Sequence, residues 1–245
     1  MYDEPTRDRA LALLAQHTLS EVSRRTGVSR AALRDWRAGG PSRSPAACPR
    51  CSGATLGASY AELLGFYLGD GHISRAPRYF ALRVSCDAAY PSIIDEVETA
   101  IREVRPGARV FRVRAPGVVV VQAHWKHWPC LFPQHGPGRK HERPIVLEDW
   151  QRTIVEAQPA AFLRGLFHSD GCRARNWTTR VVAGEKKRYD YPRWQFTNVS
   201  ADIREICCWA LDLVDVAWRQ SNHQTISVST RAGVARLDEL IGLKS

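Results

Sequence analysis

The sequence predicts an α+β fold in which one order of elements occurs twice within a single chain. An apolar, helix-like segment ends in Asp-Gly twice, at Asp70 and at Asp170, 100 positions apart. Strand-like and helix-like segments then follow each Asp-Gly at similar offsets. We therefore expect two αββαββα halves, at 59–150 and 151–245, related by an internal pseudo-twofold axis. A small all-α unit precedes them.

The first segment, 1–39, predicts short helices separated by a glycine turn. Thr18 and Glu21 match a capping box that starts a helix. Gly27 can adopt the left-handed conformation that ends this helix. Ser29 suits the N-cap of the next helix.

The helix that follows Ser29 is predicted to have two different faces. Leu33 and Trp36 share an inward face by their i, i+3 spacing. Arginines occupy another face, at Arg30, Arg34 and Arg37. The pair resembles a helix-turn-helix, in which the second helix enters the major groove of DNA. A helical hairpin with a solvated basic face is the alternative.

The stretch 40–58 is rich in Gly, Pro, Ser and Ala, which predicts a linker. It contains the motif CPRC, with Cys48 and Cys51 at the spacing of half a zinc site. Structural Zn²⁺ takes four ligands, and the sequence has no second CxxC. Two interpretations stay open, a structural zinc site and a plain linker turn.

Composition and charge narrow the class of protein. Apolar residues make up 44% and the chain has eight tryptophans, which excludes a disordered protein. Lys and Arg outnumber Asp and Glu by 35 to 25, and a net charge of +10 favours a polyanionic partner such as nucleic acid. No segment approaches the ~18–20 apolar residues of a membrane helix, and the charged N-terminus lacks a signal core. Seven scattered cysteines indicate free thiols, so we expect a cytoplasmic protein.

The two helices that end in Asp-Gly are predicted to start and to pack in related ways. Ser59 and Glu62 match a capping box for the first helix, and Pro159 suits the first turn of the second. His168 is interpreted as a packing residue, with an active-site neighbour as the alternative. Small residues four apart let two helix backbones approach closely. They are Gly65 and Gly69 in the first helix and Gly165 and Ser169 in the second.

A close crossing of these helices would bring Asp70 and Asp170 together at the same end. Two carboxylates at two negative helix ends repel each other, so a cation is expected between them. Mg²⁺ binds carboxylate, carbonyl and phosphate oxygens. A pair of such metal sites could polarise DNA phosphates and activate water.

The segments LLGFYLGDG and FLRGLFHSDG resemble the two signature helices of the LAGLIDADG homing endonuclease family, over about 59–245. The resemblance implies a monomeric, single-chain saddle whose curved antiparallel sheets bind double-stranded DNA, in the homing of an intron or intein. It implies Mg²⁺ or another divalent cation held by Asp70, Asp170 and the backbone carbonyls of Gly69 and Ser169.

The resemblance also suggests residues around the metals and in the DNA groove. Gln195 matches a strand glutamine of the family, and Lys140 and Lys244 match basic residues that order water or stabilise charge. Base readout is expected from the strands, because Arg reads guanine and Gln reads adenine. The predicted groove residues are Arg83, Arg112, Arg114, Arg193 and Gln195, with Arg83 the first-half counterpart of Gln195. The cationic and aromatic loop 173–193 is expected to contact phosphates; an exposed basic loop without a partner is the alternative.

Two functions follow from the resemblance. One is metal-dependent hydrolysis of a phosphodiester on each DNA strand. The other is a non-cleaving transcription regulator, because some regulators combine this fold with a helix-turn-helix and have commonly lost one or both acids. Both acids are present here, at Asp70 and Asp170, which favours cleavage.

Overall fold

The computed structural model describes residues 4–38 and 48–244. The chain divides into two units, 1–52 and 53–245, each with its own internal contacts. Residues 40–47 of the predicted linker lie outside the described residues. Its end at 48–58 contains a short helix and the start of the first helix of the larger unit. Within the described ranges, the helices are too short or too polar to cross a bilayer.

The smaller unit consists of helices, and the caps of α2 and α3 agree with the sequence prediction. They are α1 (Glu4–Leu14), α2 (Leu19–Thr26), α3 (Arg30–Arg37) and α4 (Pro49–Ser52). Thr18 and Glu21 form the capping box, Gly27 has φ 71°, and the Ser29 side chain accepts a hydrogen bond from the backbone of α3. A small core joins α1, α2, α3 and the turn between the last two through Ala10, Val22, Val28 and Leu33.

The larger unit repeats the order αββαββα, which confirms the predicted duplicated α+β fold. The first half comprises α5 (Ala58–Leu68), β1 (Gly71–Arg75), β2 (Phe80–Asp87), α6 (Pro91–Val104), β3 (Val110–Ala115), β4 (Val118–Trp125) and α7 (Trp128–Leu131). A 3-10 turn (Lys140–Glu142) and α8 (Asp149–Ala157) follow. The second half comprises α9 (Pro159–Asp170), β5 (Gly171–Val182), β6 (Glu185–Thr197), α10 (Ala201–Asp212), β7 (Arg219–Asn222), β8 (Thr225–Val228) and α11 (Arg231–Ile241).

Each half has one four-stranded antiparallel sheet, in the orders β1-β2-β4-β3 and β5-β6-β8-β7. Side chains alternate between the two faces of a strand, so each sheet has a face covered by helices and a face opposite them. We call these the helix face and the open face. On β2 the buried Leu82 and Val84 define the helix face, and Arg83 between them lies on the open face. On β6 the buried Trp194 and Phe196 contact Phe167 of α9, which places Gln195 on the open face.

Residues 173–193, predicted as a loop, belong to a long β-hairpin. β5 and β6 pair continuously from Gly171 with Phe196 to Val182 with Glu185. Positive φ values at Ala183 (51°) and Gly184 (84°) match the two-residue turn that right-twisted hairpins favour. β6 pairs with β8 only over 194–197. Residues 174–193 therefore form a two-stranded extension, which we call the hairpin arm.

The start of α5 also differs from the prediction. Its N-cap is Gly57, without a side-chain capping bond, so the expected Ser59–Glu62 capping box does not form. The Ser59 hydroxyl instead donates a hydrogen bond to Glu103 of α6. Pro159 occupies the first turn of α9, as predicted.

The crossing of α5 and α9 requires glycine at its centre, which confirms the predicted close approach. A Cβ on Gly65 would overlap the backbone of α9, with Leu166 N at 2.6 Å. A Cβ on Gly165 would overlap the carbonyl of Glu62 on α5. Because backbone atoms cannot move aside as a side chain can, these glycines set the distance between the helices.

Candidate active site at the ends of α5 and α9

The C-terminal ends of α5 and α9 bring the two predicted acids to one place. The Ser169 hydroxyl donates to Asp70 Oδ2 at 2.7 Å and accepts from the backbone N–H of Asp70 at 2.7 Å. A Cβ built on Gly69 would lie 3.3 Å from Asp170 Oδ2. The Asp70 carboxylate thus lies next to the end of α9, and the Asp170 carboxylate lies next to the end of α5.

Asp170 is in an environment that disfavours its charge. Burial and the nearby charge of Asp70 raise the pKa of the Asp170 carboxyl to about 6, against the lowering influence of a hydrogen bond from Asn198. The Asn198 amide donates to Asp170 Oδ2 at 2.6 Å. A half-buried carboxylate next to a second carboxylate is a donor set that suits a hard divalent cation, since such a cation would offset the repulsion.

Lys140 lies at the end of α5, where the sequence analysis expected a basic residue of the site. Its ammonium donates to the carbonyls of Tyr67 and Leu68 at 2.7 Å each and to that of Gly69 at 2.5 Å. The last carbonyls of a helix have no intrahelical partner, so a cation satisfies them and offsets the helix dipole. Burial lowers the pKa of Lys140 to about 8, although Asp170 and Asp70 favour its charge.

Lys244 has the equivalent position at the end of α9. Its ammonium donates to the carbonyl of Ser169 at 3.1 Å, and burial lowers its pKa. Both carbonyls predicted as metal ligands, of Gly69 and Ser169, therefore already accept a bond from a lysine. Each carbonyl oxygen has two lone pairs, so a metal can use the second one or replace the lysine.

Gln195 and Arg83 occupy matching places in the two sheets. Gly71 pairs with Val84 and Gly171 with Phe196, so the residues just before Val84 and Phe196 correspond. Both are on open faces, as the sequence analysis expected. The amide that bonds Asp170 is that of Asn198, which the sequence analysis missed. Asn198 follows β6 and resembles an ordinary turn residue, since it also accepts from the backbone of Ser200.

Arg112 and Arg114 lie on the helix face of β3, which corrects their prediction as groove residues. Arg112 donates to Asp95 and Glu98 of α6 at 2.6 Å each. Arg114 is two positions further along β3 and therefore on the same face. Arg193 lies on the open face, and in the part of the chain that the structure describes no carboxylate is within ion-pair distance of Arg83 or Arg193.

His168 is buried, in agreement with its interpretation as a packing residue, and it also contacts an ion-paired cluster. Its Nδ1 lies 2.9 Å from Glu96 of α6, and its side chain is 1% exposed. Arg164 bonds the same Glu96 at 2.5 Å and lies 3.4 Å from Glu62 of α5. Burial, and then the charge of Glu96, raises the pKa of Glu62 to about 7. This cluster has no local sequence signal, because its members come from three helices.

The remaining predicted site residues lie in the smaller unit, on α3 and at α4. Arg30, Arg34 and Arg37 are exposed on α3, while Leu33 is buried. Cys48 is buried and directly precedes α4, and Cys51 is exposed within α4. A pair of thiols provides two of the four ligands of a structural zinc site, so zinc binding by Cys48 and Cys51 stays a prediction.

Neither a protein-family model nor a curated protein matches the chain. Among solved structures, it is similar to the homing endonuclease I-DmoI in complex with DNA and Mn (TM-score 0.47, 14% identity, covering 76% of this chain and 96% of that one). It is also similar to the LAGLIDADG meganuclease I-AabMI bound to uncleaved DNA (0.46, 10%, 76% and 83%). A third is the N-terminal LAGLIDADG domain of DUF199/WhiA (0.46, 11%, 82% and 86%). The fold assignment itself depends on the sheet order and register given above.

Proposed function

We propose that the chain binds double-stranded DNA on the open faces of its two sheets and hydrolyses one phosphodiester on each strand, with divalent cations held by Asp70 and Asp170. One observation carries this proposal. The Ser169 hydroxyl bonds the Asp70 carboxylate, and the charge of Asp70 acts on Asp170, so the two acids lie close together where β1 and β5 begin. Because a single chain supplies both acids, the protein acts as a monomer.

The metal would be Mg²⁺ or another divalent cation. The carboxylates of Asp70 and Asp170 would hold it together with the carbonyls of Gly69 and Ser169. When bound there, it would polarise a phosphate and favour the ionisation of water. The protein's own contribution is to fix the two acids against each other and to neutralise the helix ends.

Lys140 and Lys244 place two ammonium groups at the ends of α5 and α9, beside the acids. Positive charge near a phosphate that gains negative charge during hydrolysis stabilises that charge. The raised pKa of Asp170, with burial as its first cause, is typical of functional carboxylates. We propose Gln195 as a third polar group that orders water from the open face of β6.

The open faces and the charge of the chain support DNA as the partner. Arg83 and Arg193 have no acidic partner in the described ranges, so their guanidinium groups are available to base edges. The hairpin arm has basic side chains at Arg180, Lys187 and Arg188, which suit phosphates. The exposed arginines of α3 would add a second DNA contact as the recognition helix of a helix-turn-helix.

The second candidate is a DNA-binding regulator that does not cleave. One observation favours it. Lysine ammonium groups already bond the carbonyls of Gly69 and Ser169, so the helix ends are neutralised without any metal. Binding through the open faces needs no cation between the acids.

The test is a selection on randomised duplex DNA followed by a cleavage assay with and without Mg²⁺. Asp70→Asn and Asp170→Asn are compared with the wild type, and the exposed Asp215→Asn is the control. Wild type and control are expected to cut both strands at a selected sequence only with Mg²⁺, while the two site variants retain that sequence without cutting it. Specific retention without nicking by the wild type supports the regulator. If nothing is retained or cut, both functions are wrong.

A further inference from the structure

At corresponding positions, the open face of the first sheet has apolar side chains and the open face of the second sheet has polar ones. In the first sheet, Val84 pairs with Val121 on β4, and Phe111 on β3 pairs with the next residue, Gln122. Phe111 is 39% exposed and Val113 is 43% exposed. Val113 pairs with Val120, so these apolar side chains share one face.

Aromatic side chains continue this apolar surface. The ring of Tyr79 stacks on that of His124, with centroids 4.3 Å apart, and the ring of Phe111 lies 5.3 Å from His124. Tyr79 is itself 38% exposed. We call this surface the first-sheet patch; its residues are Tyr79, Phe111, Val113, Val120 and His124.

The second sheet has polar groups where the first has apolar ones. Phe196 pairs with Ile226 on β8, and Arg219 on β7 pairs with the next residue, Ser227, so Arg219 is the counterpart of Phe111. Beyond a β-bulge between Gln220 and Asn222, Asn222 pairs with Thr225, so Asn222 corresponds to Val113 and the buried Thr225 to Val120. Arg219 also lines a groove of about 570 Å³ with Arg180 and Tyr191 of the hairpin arm.

These differences match two kinds of base edge. In the major groove, thymine presents a 5-methyl group that apolar side chains contact, whereas guanine presents two acceptors that arginine binds. An exposed apolar patch normally marks a binding surface. On the DNA-facing side of a basic protein, the apolar group that such a patch can meet is the thymine methyl.

On the basis of the DNA-binding function proposed above, we propose that the two halves read different half-sites. The first-sheet patch, through Phe111, Val113 and Val120, reads thymine methyl groups. The second sheet, through Arg219 and Arg193, reads guanine acceptors. The chain therefore binds an asymmetric site that is thymine-rich under the first half.

A second copy of the chain is the other partner that could cover the first-sheet patch. Charge favours DNA, because Arg83 lies on the same open face and the net charge of +10 makes two copies repel each other. Self-association is therefore an outcome that contradicts the proposal and is measured in the same experiment.

The experiment uses the full chain and a duplex selected from random DNA, in which single bases are replaced. Deoxyuridine for thymidine removes only the 5-methyl group, and 7-deazaguanine for guanine removes only the N7 acceptor. Each uracil under the first half is expected to weaken binding about fourfold, the effect of one buried methyl group. Each 7-deazaguanine under the second half is expected to weaken binding about tenfold. Uracil in the second half should have no effect.

Amino-acid variants test which half of the chain reads which half of the DNA site. Val113→Asn should abolish the uracil effect at one thymine position, Arg219→Ala should abolish the 7-deazaguanine effect at one guanine position, and the exposed Val146→Asn is the control. If a site is selected but uracil changes nothing, this inference is wrong and the DNA-binding function stands. If no site is selected, the proposed function fails as well.

Dimerisation in size-exclusion chromatography that Val113→Asn abolishes, without a uracil effect, would identify the patch as a self-association surface. The uracil measurement uses the wild type, so it stands even where a variant misfolds.

Discussion

Ser169 of α9 holds Asp70, which follows α5, by two hydrogen bonds of 2.7 Å: its hydroxyl donates to the Asp70 carboxylate and accepts from the Asp70 backbone N–H. The residue before the acid of one half thus positions the acid of the other half. Ser169→Ala is expected to cost about 1 kcal/mol of unfolding free energy, because the Asp70 groups are exposed and regain water. Urea denaturation measures this loss, with Ser74→Ala as the control. An unchanged midpoint would show that the serine does not support the crossing.

The glycines at the centre of the crossing should not tolerate a methyl group. Gly65→Ala and Gly165→Ala would each place Cβ against the backbone of the other helix. We expect a loss of about 3 kcal/mol or more, since overpacking against a backbone forces the helices apart. Thermal unfolding measures it. Gly57→Ala, with no atom within 4 Å of the added Cβ, is the matched control and should unfold as the wild type does. Equal behaviour of all three variants would contradict the crossing.

Lys140 is expected to stabilise both the C-terminal end of α5 and the ionised form of Asp170. Lys140→Met leaves the carbonyls of Tyr67, Leu68 and Gly69 without this donor and removes a charge that lowers the pKa of Asp170. The pKa of Asp170 should therefore rise further above about 6, which NMR titration of its carboxyl carbon measures. The exposed Lys126→Met should leave that pKa unchanged. A pKa of Asp170 that falls in Lys140→Met would refute the contact.

The free energy of unfolding should depend on pH through Glu62, which lies in the buried cluster around Arg164. The pKa of Glu62 is raised from 4.5 to about 7 by burial and by the charges of Glu96 and Glu103, with Arg164 opposing. A raised pKa means that the folded state keeps a proton that the unfolded state releases. The contribution of Glu62 is therefore full below pH 4.5 and is lost as the pH rises through about 7.

Glu62→Gln isolates this effect. The variant should lose stability less steeply than the wild type between pH 4.5 and about 7, as denaturant unfolding at several pH values measures. Asp170 titrates in the same range in both proteins, so the comparison cancels its contribution. Parallel pH profiles would show that Glu62 is ionised in the folded state.

Two arginines, one from each sheet, should behave differently because one lies on an open face and the other on a helix face. Arg193→Ala on the open face of β6 is expected to weaken specific DNA binding by about 1–3 kcal/mol and to leave stability unchanged. Arg112→Ala on the helix face of β3 should leave DNA affinity unchanged and cost at most about 1 kcal/mol of stability, since its ion pairs are partly exposed. Fluorescence anisotropy and urea unfolding measure the two effects. The reverse result would mean that the open and helix faces are assigned wrongly.

The sequence by itself determined the duplication, the meeting of Asp70 with Asp170, both ends of α2 and the starts of α3 and α9. These features depend on local rules that act within one or two helical turns, such as the capping box at Thr18 and the left-handed Gly27. Small residues four apart also predicted the close crossing, because a missing side chain is visible in the sequence.

Only the tertiary structure decided which groups complete the site and which face the strand side chains occupy. A period of two shows that Arg112 and Phe111 lie on opposite faces of β3, but the packing of α6 decides which face is covered. Lys140 reaches α5, and Asn198 reaches Asp170, through contacts between residues far apart in the chain. No local preference encodes such contacts, because they exist only after helices and sheets have packed.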